Sequence, residues 1–474
     1  MNLPPNRMKY LHWLCVSLLP IATASCVYQS VAPHVQAPVE VAFDNPLPAT
    51  ASAAIQADLW QSFNDQVLSQ LQARALQENR SLRQVSERME AARAERGLAI
   101  SALFPSVSID ANRNSEVPSK LNPTIPPTIR KLNTFNAALD SRWEVDLFGA
   151  AINGAKAAQA DYRTAQADLV AAKQALLAEI AQAYFNLRAD QQHLSNAQHR
   201  AAAAGQLWLL TQARVKAGKI SGIDAATVES QVAQARAGLT PAQAQVSADI
   251  HRLMVLTVWS QAEIVALTKP AEFPQIPPLV SVGTPTDWLV RRPDVRSAEQ
   301  QFRGAVARSN VVRAEYFPQI TLNGSYGYNS QTAATIGTSA SRQWNFGPSI
   351  SWNFLNLGQT IYQIKGANAA ARQALAQFDE TILKALEETN NGFANYSAAS
   401  ESLSQWQIAK AASEQQLKLT TEQFAAGSAD LGTVLNARLR DYDTADQFVT
   451  AQLRQASSLA VLYRALAGDF AVGR

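Results

Sequence analysis

The sequence predicts a mainly α-helical chain carrying a membrane β-barrel portion, built as a duplicated strand–long-helix-hairpin repeat. Three observations carry this. First, Trp143-Glu-Val-Asp-Leu-Phe-Gly149 opens an Ala-rich run that ends at Leu210-Thr211 and Ala217-Gly218. The same succession recurs 209 residues on, as Trp352-Asn-Phe-Leu-Asn-Leu-Gly358 ending at Leu419-Thr420 and Ala426-Gly427. At that offset Ile152 meets Ile361, Lys156 meets Lys365, Arg163 meets Arg372, Glu179 meets Glu388 and Asn186 meets Asn395, with no gap. Such self-similarity marks a tandem duplication. Second, the residues ahead of each copy alternate apolar and polar, as strands do with lipid on one face and water on the other. Third, Asn153 to Lys216 and Gln359 to Ala425 contain no proline. At the rise of an α-helix each spans on the order of 95 Å, far more than a globular core needs.

The 474 residues allow several ordinary domains or one large duplicated architecture. The formal charge of +3 falls to +1 without Arg7 and Lys9, so no nucleic-acid footprint is present. Arg7 and Lys9 precede the apolar run Leu11 to Leu19, and Ile21-Ala-Thr-Ala-Ser-Cys26 follows. Residues 1–25 therefore read as a secretory signal peptide, too short and too Pro-interrupted to span a membrane. Small residues before Cys26 make it a candidate for lipidation, although Thr23 stands where a leucine gives the strong form of the signal. Cys15 lies in the leader, so the two cysteines form no disulfide framework. Residues 26–58, rich in Pro, Ala and Val, read as an N-terminal tether or arm.

The first repeat covers 59–268. A helix from about Ser81 to Leu103 is stopped by Phe104-Pro105, because proline disfavours helix in the residue before it. Alternation then marks strands at about 106–113 and 135–147, separated by a Pro-rich loop. In the second strand Phe135 and Trp143 point to one side, the lipid side, and Asp140, Arg142, Glu144 and Asp146 to the other, the lumen. After a Pro-rich linker, 269–285, the second repeat (286–474) has strands at about 319–329 and 343–356. Tyr326, Tyr328, Trp344, Phe346, Trp352 and Phe354 are its lipid-facing aromatics. Each strand has about the 9–11 residues that cross a tilted bilayer path. Four strands cannot close a barrel, and an open edge is not tolerated in lipid, so several copies must build one barrel together. A soluble sandwich, with the charged row as its solvent face, is the alternative.

Ala158, Ala165 and Ala172 recur at seven, as do Ala367 and Ala374, and let the long helices approach closely, with Leu169 and Leu176 as larger knobs. Each long helix ends at an Ala-Gly pair near 218 or 427 and a returning helix follows. The first return starts near Asp224 with a break expected at Pro241; the second runs from about Thr433 to Ala467. Gly218 and Gly427 fit helix C-caps of positive φ.

Both Phe-Pro stops, both Ala-Gly tips, Trp143-Glu-Val-Asp-Leu-Phe-Gly149 and Leu289-Val-Arg-Arg-Pro-Asp-Val-Arg-Ser-Ala-Glu-Gln-Gln301 resemble the TolC-like outer-membrane factors. The likeness is to their lipoprotein branch of OprM and NodT type, and it covers about Leu59 to Phe470. The resemblance implies a homotrimer forming a 12-stranded β-barrel continued by a 12-helix periplasmic α-barrel. It implies an outer-membrane exit duct of a tripartite efflux system, with a periplasmic adaptor protein, an inner-membrane RND-type transporter and outer-membrane lipid as partners. It also implies an acylated Cys26, followed by Val27 rather than the aspartate of inner-membrane retention. The adaptor-docking tips map onto Val215, Ala217, Gly218 and Lys219 and onto Phe424, Ala426, Gly427 and Ser428. Candidates for closing the periplasmic end are Asp224, Asp430, Thr433, Asn436 and Arg438. Here the chain departs from the family: Ala429 stands where an arginine is expected, and Thr433 and Asn436 replace the acids of the aperture.

No cofactor is called for. His34, His193, His199 and His251 lack metal-ligand spacing, and no phosphate-cradling loop or activated nucleophile is present, so an enzyme is not expected. A type I protein-secretion channel is the alternative within the class. A periplasmic adaptor lipoprotein is the alternative outside it, but adaptors carry one hairpin where this chain has two.

Overall fold

The computed structural model describes residues 59–117, 119, 131–277, 289 and 291–466. The leader, Cys26 and the tether lie outside the described residues. So does most of the stretch from 278 to 290. Among the described residues no helix is long and apolar enough to cross a membrane.

After a 3-10 turn, Leu59–Phe63, come α1 (Gln66–Glu78) and α2 (Arg80–Ser101), then β1 (Ser106–Glu116) and β2 (Leu132–Glu144). The 67-residue α3 (Ala150–Lys216) follows, with α4 (Gly222–Ala237), α5 (Leu239–Thr257) and the short α6 (Gln261–Leu267). The second repeat gives α7 (Pro293–Ala314), β3 (Gln319–Ser330), β4 (Arg342–Ser351), the 69-residue α8 (Leu357–Ala425) and α9 (Leu431–Ala465). The four strands form one antiparallel sheet in chain order, with β1 and β4 at its edges. Gly327 of β3 faces Ala138 of β2 so closely that an added Cβ would lie 2.3 Å from the Ala137 carbonyl oxygen. No other residue fits there.

β1 runs on to Glu116 and β2 begins earlier, at Leu132, and three further differences from the sequence reading change a residue's role. The first return breaks at Gly238, not at Pro241. Pro241 cannot donate to the Ala237 carbonyl, so the earlier helix ends there and the proline falls in the first turn of α5, where a missing N–H costs nothing. β2 ends at Glu144, so Asp146 is not a strand residue. Its Oδ2 accepts from the Ile152 amide at 2.8 Å and satisfies an orphan N–H at the start of α3. β4 ends at Ser351, which places Trp352 beyond the strand and Phe354 in a 3-10 turn.

The main core lies where α1, α3, α5, α6 and α9 meet. Phe63, Tyr184, Phe185, Leu253, Ile264, Leu459 and Tyr463 are buried there, and Phe273 and Ile276 of the linker pack on it. Arg188 donates to the Lys269 carbonyl at 2.5 Å and Gln191 to that of Thr268 at 2.7 Å, so the linker begins fixed to α3. The two repeats are not equally packed. α7 lies between α3 and α8, whereas its counterpart α2 lies against α3. Each has 22 residues, yet α7 buries nine and α2 only Leu82.

Candidate functional site: the strand faces, the hairpin tips and the ties between hairpins

The register separates the sheet into two chemical faces. Ile109, Leu139, Tyr326 and Trp344 lie in one row across all four strands, and Ala111, Ala137, Tyr328 and Arg342 in the next, with Arg342 at the start of β4. Phe135, Trp143, Phe346 and Ile350 share that face by parity. The opposite face carries Asp110, Asn112, Asp140, Arg142, Glu144, Asn323, Ser325, Gln343 and Asn345. Trp143 and Trp352 do something that strand parity alone did not reveal. Their indole N–H groups donate to the Leu103 carbonyl at 3.1 Å and the Tyr316 carbonyl at 3.2 Å, one residue before each Phe-Pro stop. Each repeat thus ties the tryptophan at the end of its second strand (Trp143 within β2, Trp352 just past β4) to the turn that precedes its first strand.

At the far ends of the long helices the same local chemistry appears twice. Gly218 and Gly427 have φ of 63° and 74°. Gly218 N–H donates to Val215 and Lys219 N–H to Arg214; Gly427 donates to Phe424 and Ser428 to Gln423. These paired bonds make two Schellman caps, which close the last carbonyls of each helix. An added Cβ at either glycine meets nothing within 4 Å. Val215 and Phe424 are about two-fifths exposed beside them.

The returning helices begin with one cap written in two orders. In the first, Ser221 is the N-cap and the Asp224 carboxylate accepts from the Ser221 amide and hydroxyl. In the second, 209 residues on, Asp430 is the N-cap and accepts from the Thr433 amide at 2.8 Å and hydroxyl at 2.9 Å. Thr433, at the position of Asp224, therefore completes a cap whose carboxylate has moved three residues back. That move leaves the other oxygen of Asp430 free to reach Arg214 of α3 at 2.8 Å, joining the two hairpins near their tips. The Thr433 amide, then Arg214 and the Thr433 hydroxyl, hold the Asp430 carboxyl down at about 2. Asn436 is exposed and Arg438 half-buried, and neither makes an ion pair among the described residues.

Two further ties join elements that the sequence did not bring together. Asp446 of α9 accepts from His193 at 3.1 Å, Asn196 at 2.8 Å and Arg200 at 2.6 Å, three residues on one face of α3. Burial pushes its carboxyl up, but these three donors outweigh it and hold it below the usual range. The signal was the spacing 193, 196, 200 on a helix, which reads equally well as a solvated face. Arg292, from the Arg-Arg-Pro-Asp segment, is the second. Its side chain is 6% exposed and bonds Asp294 at 2.6 Å, Glu388 of α8 at 2.8 Å and the Ala465 carbonyl of α9 at 2.9 Å. Burial lowers the affinity of this guanidinium for its proton, and the two carboxylates more than restore it.

The profile of a family described as outer membrane efflux protein matches residues 71–257 and 284–468. SepC of Pseudomonas putida, a probable efflux pump outer membrane protein, is 29% identical over 420 residues, 87% of this chain and 85% of its own. Outer membrane protein OprJ of Pseudomonas aeruginosa is 27% identical over 463 residues, 96% of each chain. Among solved structures, the outer-membrane channel OprN superposes with a TM-score of 0.83 at 29% identity. The match covers 93% of this chain and 99% of that one.

Proposed function

Since the chain belongs to the outer membrane efflux protein family and serves as an outer-membrane efflux duct, we propose that it works as a homotrimer whose copies share one barrel. The carrying observation is the unequal packing of the two repeats. α7 is buried between two long helices, while α2, its counterpart, lies against one long helix, α3, and buries only Leu82. The quasi-equivalent partner of α2 is α8 of the next copy. The same step pairs β4 of one copy with β1 of the next, removing edges that lipid forbids. Three copies of four strands make twelve. Native mass spectrometry of the detergent-solubilised protein tests this: an assembly of three chains supports it, and one of any other number overturns it.

In that assembly the apolar sheet face, with Phe135, Trp143, Tyr326, Tyr328, Trp344 and Phe346, lies against lipid. Asp140, Arg142 and Glu144 line the lumen. Single cysteines at 142 and 144 are expected to react with small water-soluble reagents, and cysteines at 143 and 145 are not. The reverse pattern would shift the lumen to the other face. Cys26 is the acylated N-terminus of the mature chain in this reading, and the intact mass of membrane-purified protein reads the lipid directly.

The tips at Val215–Lys219 and Phe424–Ser428 receive a periplasmic adaptor, linked in turn to an RND-type transporter in the inner membrane. The duct passes small toxic compounds outward and performs no catalysis. The Arg214–Asp430 bond restrains the inner end in its closed arrangement. Both side chains are one-third to one-half exposed, so the bond is worth about 1 kcal/mol or less. Arg214→Gln keeps the Asp430 cap but frees the hairpins, and the open fraction should rise up to about fivefold. Planar-bilayer conductance measures this. A carboxyl lowered to about 2 contributes its bond at every pH above its ordinary range and loses it only as pH falls through about 2. Conductance controlled by this link is therefore flat between pH 5 and 8.

A further inference from the structure

Asp249 sits on the face that α5 turns toward α3, and it is 7% exposed. Its Oδ2 meets no donor among the described residues. Gln245, one turn earlier on α5, and Asp190 on α3 both come within hydrogen-bonding reach of the carboxyl. Asp190 is half-buried and Asp249 buried; two such carboxylates in contact repel unless one is protonated, and the neutral acid then donates its O–H to the other. From this geometry we infer that Asp190 and Asp249 form a proton-held joint between the two arms of the first hairpin, so that its grip depends on pH.

The charges around the joint are committed elsewhere. On α5, Arg252 pairs with Glu179 of α3, and His251 is exposed. On α1, Arg74 pairs with Glu78, and on α6 Glu263 caps its own helix through Ser260. Arg236 of α4 is exposed beyond the Gly238 break, and His193, nearly one turn past Asp190, is turned to Asp446 of α9. The charged group that acts on Asp249 is Asp190. Burial, then this neighbour, push Asp249 up to about 8. The second hairpin has no such pair. At the 209-residue offset Asp190 and Asp249 become Ala399 and Ser458, and both line a cavity of about 470 Å³ between α8 and α9. Only the first hairpin carries the device.

The sign follows from linkage. The closed joint holds a proton up to about pH 8, whereas an opened, hydrated aspartate gives it up near its ordinary value of about 4. Closing therefore takes up a proton throughout that window, and the joint weakens about tenfold per pH unit as pH rises, levelling off above 8. Acid tightens the hairpin and alkali loosens it. The inference concerns titration of the helices and stands whether or not the chain is a duct.

Hydrogen exchange of the α5 amides in the intact assembly, corrected for its intrinsic pH dependence, tests it. Wild-type exchange should rise about tenfold per unit from pH 5 to 8. In Asp249→Asn the amide donates to Asp190 at every pH, and the slope should vanish. Asp190→Asn should do the same from the other side, and serves if the first variant does not assemble. Infrared spectra of the wild type should show a protonated-carboxyl band lost with a midpoint near pH 8, absent from both variants. No such band at pH 6, or an unchanged exchange slope in the variants, overturns the joint.

Discussion

Gly427→Asp is expected to abolish export while leaving the assembly intact. The backbone at Gly427 is left-handed, with φ of 74°, and an added Cβ meets nothing within 4 Å. The cost inside the chain is therefore conformational, about 1 kcal/mol, and aspartate is among the residues that tolerate this region best. A negative charge at a helix C-terminus adds less than about 1 kcal/mol against the dipole. Neither term unfolds a helix of 69 residues packed against both α9 and α7. The functional cost is of another order. Helix tips that meet end to end share a small contact, and one protruding charged side chain at its centre holds the partner backbone away and strands a carboxylate at the interface. Drug resistance should fall to that of cells lacking the gene, and cross-linking to the adaptor should disappear. Gly337→Asp is the control, since Gly337 also has positive φ (89°) and open space but lies between β3 and β4. Equal resistance in both variants, with trimers present, would refute docking through this tip.

The largest stability effect is expected at Arg292. It bonds the start of α7, the middle of α8 and the end of α9 at once, from a side chain 6% exposed. Arg292→Ala leaves the Ala465 carbonyl without that donor and two carboxylates facing each other. Since Asp294 and Glu388 are about half exposed and can rehydrate, the loss falls at the low end of the range for breaking a buried pair, about 3 kcal/mol. Lysine recovers little of this, because one ammonium cannot fork to both carboxylates and a carbonyl. Arg291, its neighbour in sequence, is exposed, and Arg291→Ala should change stability by less than about 0.5 kcal/mol. Thermal unfolding of the solubilised assembly separates the two. A melting temperature equally lowered by both would show that the Arg-Arg pair acts as surface charge and not as a buried tie.

The elements and their repetition were legible in the order of residues alone. A helix free of proline, a strand alternating along its length, a Phe-Pro stop and a glycine of positive φ are local matters, settled by residues within a turn or two of one another. Duplication then doubled each signal, so Gly218 and Gly427, or Trp143 and Trp352, could be recognised as one device used twice. Tertiary structure decided which residues meet across long separations. Asp430 finds Arg214, Asp446 finds His193 and Arg200, and Asp249 finds Asp190 through packing of whole helices. No spacing within one helix announces a partner on another. It also decided the exceptions to the repeat. Pro241 is harmless once α4 ends at Ala237, Asp146 caps a helix instead of extending a strand, and α7 is buried where α2 is open. The physical reason is common to all three. Periodicity fixes what a segment can form, but burial depends on what else fills the space beside it.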